Sequence, residues 1–533
     1  MKQTLKKTFW QLILIYSILI VAIALGFMWK FSLQFHIFAI VISILGITLI
    51  ETHENWENDE KPLNKKVHYA LFALAILLIF SLRAIPYLNQ SIPLGYDTGI
   101  YKYGIEHGLA NLDHWIIKGG LEPGFLYLMN SISLIFSTQV ILTWLLILFC
   151  VILGLGVYLV IKEFSDRDTA LIGMLIYAFS IIQYKTFEYL YYKNILGMIL
   201  ILFSIYFLRK YEKTYLKKHL LGFIIAGGLI GAVHRPSFYI FGLSYFFYAF
   251  ISPYNFENKE YDKTKFLRNL IMGAAMIAIA LLFYIGKFWP AATNMFGPVI
   301  QGFVQTGESP GTFINFMDYQ FNSLFYLPFA FLGLFYFVRK KELNILVLWV
   351  LINLAIVYFQ FFFFNRMIIF LDLALVIMAS FGISVILKNK KKSGAIVLCI
   401  LLLSGGIFAF KEANNSKPLI NEQELETIKH FNQTPENSFA MSTSSIYSPW
   451  VLGYSERRTI APGLFDYNNH SKSEWELFWT SQNITEIKSF MKAYGKPIYI
   501  FIGQKQKDNL AQFDECFERF YNESNNTLYA YNC

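Results

Sequence analysis

Gly95-Tyr96-Asp97-Thr98-Gly99-Ile100-Tyr101 places a carboxylate shortly after an apolar stretch that ends near residue 85, at the start of a long polar connection. A carboxylate this close to apolar surface can take a proton from a hydroxyl whose carrier sits at a bilayer face. The same residues also suit a turn, with Asp97 as an Asx-turn or helix-capping residue. Three cations recur in comparable places: Lys193 in Tyr191-Tyr192-Lys193-Asn194, Arg235 in Val233-His234-Arg235-Pro236, and Arg366 in Phe364-Asn365-Arg366. Each stands where a polar connection meets an apolar stretch. Guanidinium forks and ammonium point charges are the natural holders of a phosphate or pyrophosphate. Snorkelling toward lipid head groups would explain any one of them alone, but less readily all three. Tyr101 and His234 lie beside these residues and join the candidate binding set. Glu308, in Gln305-Thr306-Gly307-Glu308, occupies a second long connection. With Asp97 it could ligate a divalent cation such as Mg or Mn, or it is a solvated loop acid. Glu106, Asp113, His114 and Glu122 share the connection of Asp97; Asp113-His114 could take part in acid–base work, but nothing selects it over a surface pair.

The elements that must position these side chains are membrane spans. Of 533 residues, 56% are hydrophobic and 15% charged, with 53 Phe and 34 Tyr. Soluble domains carry about a quarter charged residues, so a soluble enzyme, a disordered chain and a disulfide-stapled module are excluded. A bilayer core of about 30 Å needs roughly 20 apolar residues in a helix. Stretches of that kind cover 9–28, 33–50, 67–85, 138–161, 168–184, 191–208, 219–234, 236–251, 265–288, 322–338, 343–362, 367–387 and 394–411. The first follows Lys2, Lys6 and Lys7 without a small-residue cleavage site and reads as a retained anchor.

The net charge of +9 is explained by topology and calls for no nucleic-acid partner. Basic runs at Arg209–Lys218, Arg339–Lys341 and Lys388–Lys392 mark the inner side, since cytoplasmic loops are enriched in Lys and Arg. About thirteen spans then put the N-terminus inside and everything after 411 outside, in a multi-pass protein of the cell membrane. The expected fold is an all-α polytopic membrane domain with a small external α/β domain at the C-terminus. Its parts are a two-helix anchor over 1–66, a catalytic membrane domain over 67–411 and an extracytoplasmic domain over 412–533. In the last, helical periodicity covers Glu424–Phe431 and Thr485–Ala493, and strand-like runs cover Pro497–Ile502 and Leu528–Tyr531. An apolar stretch too short to span, Phe125–Phe136, suggests an interfacial helix. Cys516 and Cys533 are a candidate disulfide in a compartment that permits oxidation.

The order of these features resembles the GT-C superfamily of glycosyltransferases that use polyprenyl-phosphate sugars. An Asp motif follows an early span, Glu122-Pro123-Gly124-Phe125-Leu126-Tyr127 resembles the short helix that opens with Pro, and a basic turn follows at Lys162-Glu163-Phe164. Lys193-Asn194 and Arg235-Pro236 resemble later features, and the likeness covers about 67–411. Pro449-Trp450-Val451-Leu452-Gly453-Tyr454 is similar to the segment that carries a Trp-Trp-Asp signature in oligosaccharyltransferases. Pro449 and Val451 replace the first Trp and the Asp. The resemblance implies an inverting enzyme that moves a sugar from a polyprenyl-phosphate donor, held among membrane lipids, to an acceptor hydroxyl. Asp97 would be its base, and Lys193, Arg235 and Arg366 its phosphate grip. An oligosaccharyltransferase-like enzyme and a non-enzymatic lipid-glycan flippase are the alternatives.

Overall fold

The structure, a computed structural model, describes residues 62–112, 114, 120–255, 260–289, 314–361, 364–389, 391–462, 469–495, 497–506, 508–513 and 515–533. The expected spans 9–28 and 33–50, most of the two-helix anchor, and Asp113 and Glu308 lie outside the described residues.

Helices form wherever the remaining sequence offers an apolar run, and they end where it offers a cap. In chain order they are α1 (Lys65–Ala84), α2 (Thr98–His107), α3 (Pro123–Ser133), α4 (Thr138–Phe164), α5 (Arg167–Phe179), α6 (Ile181–Glu188), α7 (Tyr192–Thr214), α8 (Lys217–Val233) and α9 (Arg235–Ile251). A two-residue hairpin, β1 (Tyr254–Asn255) and β2 (Glu260–Tyr261), precedes α10 (Lys263–Leu282). There follow α11 (Phe316–Ser323), α12 (Leu327–Arg339), α13 (Ile345–Tyr358), α14 (Phe364–Asn389) and α15 (Lys391–Asn415). Asn64, Asp166, Asp262 and Asn344 cap α1, α5, α10 and α13 with their side-chain oxygens, satisfying N–H groups that have no intrahelical partner.

Each of the eleven expected spans beyond residue 61 contains a helix, but their lengths differ from the expectation. Among the described residues six helices are long and apolar enough to cross a membrane, or up to eight if two bent pairs each count as one span. The bent pairs are α5–α6, which meet at 53°, and α11–α12, which meet at 77°. The count falls short of thirteen because α8, α9 and α13 have 17, 17 and 14 residues, and because the first two spans are outside the described residues. The protein is a multi-pass membrane protein. Its central helix is α14, buried without interruption from Met367 to Val385 and packed by α5, α12, α13 and α15.

The C-terminal part is a five-stranded sheet with helices on both faces. Its elements are α16 (Glu422–Lys429), β3 (Phe439–Ser442), α17 (Ser448–Tyr454), β4 (Arg458–Ile460), α18 (Lys472–Thr480), α19 (Ile484–Met491), β5 (Ile498–Ile502), β6 (Phe517–Glu523) and β7 (Asn526–Tyr531). The strand order is β4-β3-β5-β7-β6, parallel across β4-β3-β5 and antiparallel beyond. Alternation along β5 divides the core: Ile498, Ile500 and Ile502 join Trp475 and Phe490 of α18 and α19, while Phe501 joins Trp450 and Val451 of α17 and Ile428 of α16. Cys516 and Cys533 are joined in a disulfide with Cα atoms 5.0 Å apart.

α17 is the element that docks this unit on the membrane part. A Cβ built on Gly99 of α2 would stand 1.6 Å from the Pro449 carbonyl oxygen, and one built on Gly453 would stand 2.5 Å from the Gly99 backbone. The two helices therefore touch backbone to backbone, which only glycine permits. The Tyr96 hydroxyl donates to the Ser445 carbonyl at 2.8 Å, and the Lys102 ammonium lies 4.9 Å from the centre of the Tyr454 ring.

Candidate active site

Asp97 occupies the N-cap position of α2, yet its side chain makes no capping hydrogen bond. The turn before it is closed instead by Thr98, whose hydroxyl donates to the Gly95 carbonyl at 2.7 Å. The capping role open to Asp97 in the sequence is therefore not what holds its carboxylate. Burial raises the Asp97 pKa above its ordinary value, and the charges of Arg366 and Lys193 partly offset the rise. A carboxylate of raised basicity beside two cations, with no local hydrogen-bonding duty, is suited to accept a proton.

Glu122 organises two of the three cations. It is 2% exposed and stands just before Pro123 at the start of α3. Its Oε2 lies 2.8 Å from Lys193 Nζ and its Oε1 lies 3.3 Å from Arg235 Nε. Lys193 Nζ also donates to the Gly120 carbonyl at 2.7 Å, and the Arg235 backbone N–H donates to Glu122 Oε1 at 3.2 Å. Burial alone would push the Glu122 pKa up, but the Lys193 and Arg235 charges outweigh it and hold the carboxyl at about 2. In the sequence Glu122 stands out only as the residue before Pro123 at a helix start, with no chemical role assigned to it. The signal that could have found it is electrostatic: two cations beside apolar spans need a shared counter-charge.

Arg366, in the first turn of α14, is exposed. Its charge acts on Asp97, Tyr101, Tyr191 and His234, so the start of α14, the turn before α2 and the junctions α6–α7 and α8–α9 converge on one place. Tyr101 is buried, with its ring 5.4 Å from Phe125 and 6.0 Å from Tyr192. It ties α2 to α3 and α7. His234 is also buried: its Nδ1 lies 2.7 Å from the Ser237 hydroxyl, capping α9, and its ring stacks on Phe370 at 6.4 Å. Among the other acids of the first connection, Glu106 pairs with Lys102 one turn away on α2.

Among the described residues no group of three or more His, Cys, Asp and Glu side chains is arranged to hold a metal ion. Glu122 is engaged by Lys193 and Arg235, and Glu308, the other expected metal ligand, lies outside the described residues. An apolar cavity of about 360 Å³ lies between α12 and α13, lined by Leu327, Phe331, Leu351, Leu354, Ala355, Tyr358 and Phe359. Phe316 packs on both Tyr358 and Phe364, at 5.9 and 6.2 Å, and so bridges the Tyr358 end of this cavity to the start of α14.

Comparison with solved structures decides the fold. The oligosaccharyltransferase of Archaeoglobus fulgidus in its apo form superposes with a TM-score of 0.58 at 14% identity, over 83% of this chain and 70% of that one. ArnT from Cupriavidus metallidurans bound to undecaprenyl phosphate superposes with a TM-score of 0.57 at 11% identity, over 87% of this chain and 97% of that one. The chain has a GT-C fold. Another structure of the A. fulgidus enzyme, in complex with Zn and sulfate, gives a TM-score of 0.57 at 16% identity, over 87% of this chain and 73% of that one. No protein-family model and no curated protein matches the sequence. The likeness is therefore one of GT-C architecture, and the chemistry must be argued from the residues.

Proposed function

We propose that this protein is an inverting glycosyltransferase that moves a sugar from a polyprenyl-phosphate donor to an acceptor hydroxyl, on the side of the membrane that carries the C-terminal domain. The observation that carries the reading is the Asp97 carboxylate, held at a helix start without capping it and within the field of the Arg366 and Lys193 charges. That the neighbouring fold members include one bound to undecaprenyl phosphate supports the donor class.

In this reading Asp97 accepts the proton of the acceptor hydroxyl as its oxygen forms a bond to the anomeric carbon. The bond from that carbon to the phosphate oxygen breaks on the opposite face, and its electron pair stays with the phosphate. One base and one displacement give inversion. The phosphate gains negative charge as it leaves, so fixed positive charge stabilises the transition state more than the bound donor. Asp97 and Glu122 bring two negative charges, and Lys193, Arg235 and Arg366 bring three positive ones. The surplus matches an anionic leaving group. Glu122 keeps Lys193 and Arg235 oriented, while the fork of Arg366 is placed to meet phosphate oxygens. The apolar cavity between α12 and α13 suits the isoprenoid chain of such a donor.

Membrane orientation completes the proposal: Lys210 and Lys213, paired with Glu163, and Lys388, paired with Asp166, belong to the inner end of the bundle. Val451, in the place of the signature Asp of oligosaccharyltransferases, is buried in the sheet core, which favours simple sugar transfer over sequon recognition. Transfer of radiolabelled sugar from a panel of polyprenyl-phosphate sugars by the purified protein in detergent tests the reading. Release of free polyprenyl phosphate with product formation is expected.

A further inference from the structure

Asp372 lies midway along α14 with no exposed surface, and among the described residues it forms no ion pair. Burying a carboxylate among apolar helices is costly unless its oxygens are satisfied. Here three donors satisfy them. Oδ2 accepts from the Ser180 hydroxyl at 2.9 Å and from Gln183 Nε2 at 2.9 Å, and Oδ1 accepts from the Tyr326 hydroxyl. Gln183 Nε2 also donates to the Ile369 carbonyl at 2.9 Å, which keys the same side chain to α14 twice.

The donors stand at the two breaks of the bundle. Ser180 is the single residue between α5 and α6, and its hydroxyl also accepts from the Gln183 N–H at 3.2 Å, capping α6. Tyr326 is the residue before α12, at the bend from α11. One oxygen of Asp372 thus serves the α5–α6 break and the other serves the α11–α12 break. Only an acceptor with two oxygens can take bonds from both sides; an amide would turn a donor toward one of them.

From the α5–α6 break the constraint reaches the site. α6 has eight residues, about 12 Å of helix, and ends at Tyr189–Leu190, where Leu190 has φ +55°. A Cβ on Gly95 would lie 2.3 Å from Leu190 Cβ and 2.5 Å from the Tyr189 carbonyl, so the end of α6 is the seat of Gly95. Gly95 opens the turn that carries Asp97. On the other side of Leu190 the chain enters α7, with Lys193 in its first turn.

We propose that Asp372 is a positioning residue: its carboxylate locks both bent helix pairs to α14 and, through α6, sets where Asp97 and Lys193 stand. The consequence for transfer rests on the function proposed above, whereas the lock on the two breaks does not.

Hydrogen exchange of the full-length protein in detergent, followed by mass spectrometry, reads the lock directly. Asp372→Leu should speed exchange about tenfold or more in peptides covering both 181–192 and 316–327, with the midsection of α7 unchanged. Asp372→Asn, which keeps size and one acceptor oxygen, should fold normally and release one of the two segments. In transfer from undecaprenyl-phosphate sugar, Asp372→Asn should lower kcat by about 10²-fold and raise donor KM several-fold, because the base and the Lys193 phosphate contact are displaced together. Native exchange in both segments of the Asn and Leu variants would overturn the lock. Altered exchange with unchanged kcat and KM in an active enzyme would overturn the link to the site. If the wild-type protein transfers no sugar, the function proposed above fails, and the exchange result still decides the lock.

Discussion

Glu122 and half-buried Lys193 form an ion pair at 2.8 Å on a buried carboxylate, whose second oxygen holds Arg235. The three side chains come from the start of α3, the start of α7 and the start of α9, so this pair fixes the relative placement of three helices. Removing one member of a buried network leaves the rest as uncompensated charge. Glu122→Ala is expected to cost about 3–5 kcal/mol, read as a lowered thermal midpoint in detergent, while Glu122→Gln should cost less.

The same pair sets a pH dependence. The Glu122 carboxyl is lowered from 4.5 to about 2 in the folded protein, so its contribution to stability is complete above the unfolded value and is lost as pH falls toward 2. The stability difference between wild type and Glu122→Gln should therefore be constant near neutrality and shrink steadily below about pH 4.5. A difference unchanged down to pH 2.5, measured by chemical unfolding, would show that the pair is not what holds the helices.

Gly99 and Gly453 meet backbone to backbone where α17 rests on α2. A methyl group at Gly99 collides with the Pro449 backbone carbonyl, so the two helices must shift apart. Gly99→Ala should destabilise by about 1–3 kcal/mol and loosen the docked unit, so that limited proteolysis releases the 412–533 region faster than from wild type. Unchanged proteolysis would mean that the Tyr96 and Lys102 contacts suffice for docking.

Several of these features were legible before the fold. Asp97 stood out as a carboxylate close to apolar surface, and Lys193, Arg235 and Arg366 as cations at the ends of apolar runs; the structure draws Lys193 and Arg235 together on Glu122. Helices α16 and α19 and strands β5 and β7 carried enough periodicity to be expected. β3, β4 and α17 have only three to seven residues each, too few for a period, and their identity comes from pairing in the sheet. The bends of α5–α6 and α11–α12 were missed because apolar composition continues through them. Asp372 did carry a signal, as a lone acid inside an apolar run, but its partners Ser180, Gln183 and Tyr326 are 46 to 192 residues away in sequence. Glu122 was one acid among four until Lys193 and Arg235 closed on it.

Arg366 provides a test of the phosphate grip that is independent of Glu122. Arg366→Ala should weaken donor binding and slow transfer together, by about 10²-fold in kcat/KM. Arg366→Lys should recover only part of the loss, because an ammonium cannot offer two parallel N–H groups to phosphate. Full activity in both variants would leave contact with lipid head groups as the role of this side chain.

Orientation is tested on intact cells. With Cys150 and Cys399 replaced, a membrane-impermeant thiol reagent should label Lys472→Cys and leave Lys391→Cys unlabelled until the membrane is opened. The reverse pattern would put Asp97 on the inner side of the membrane and with it the whole site.

The central claim, that Asp97 is the base of a sugar transfer, is tested most directly by single-turnover transfer of labelled sugar from a polyprenyl-phosphate donor with wild type and Asp97→Asn. The substitution keeps the size of the side chain and removes the proton acceptor, and Thr98, not Asp97, closes the turn. Turnover should fall by about 10²–10⁴-fold while donor affinity stays within about twofold. In the wild-type profile the acid limb should lie above the ordinary aspartate value, because burial raises the Asp97 pKa, and the rate should drop as pH falls through it. Transfer by Asp97→Asn within about threefold of wild type would contradict the account.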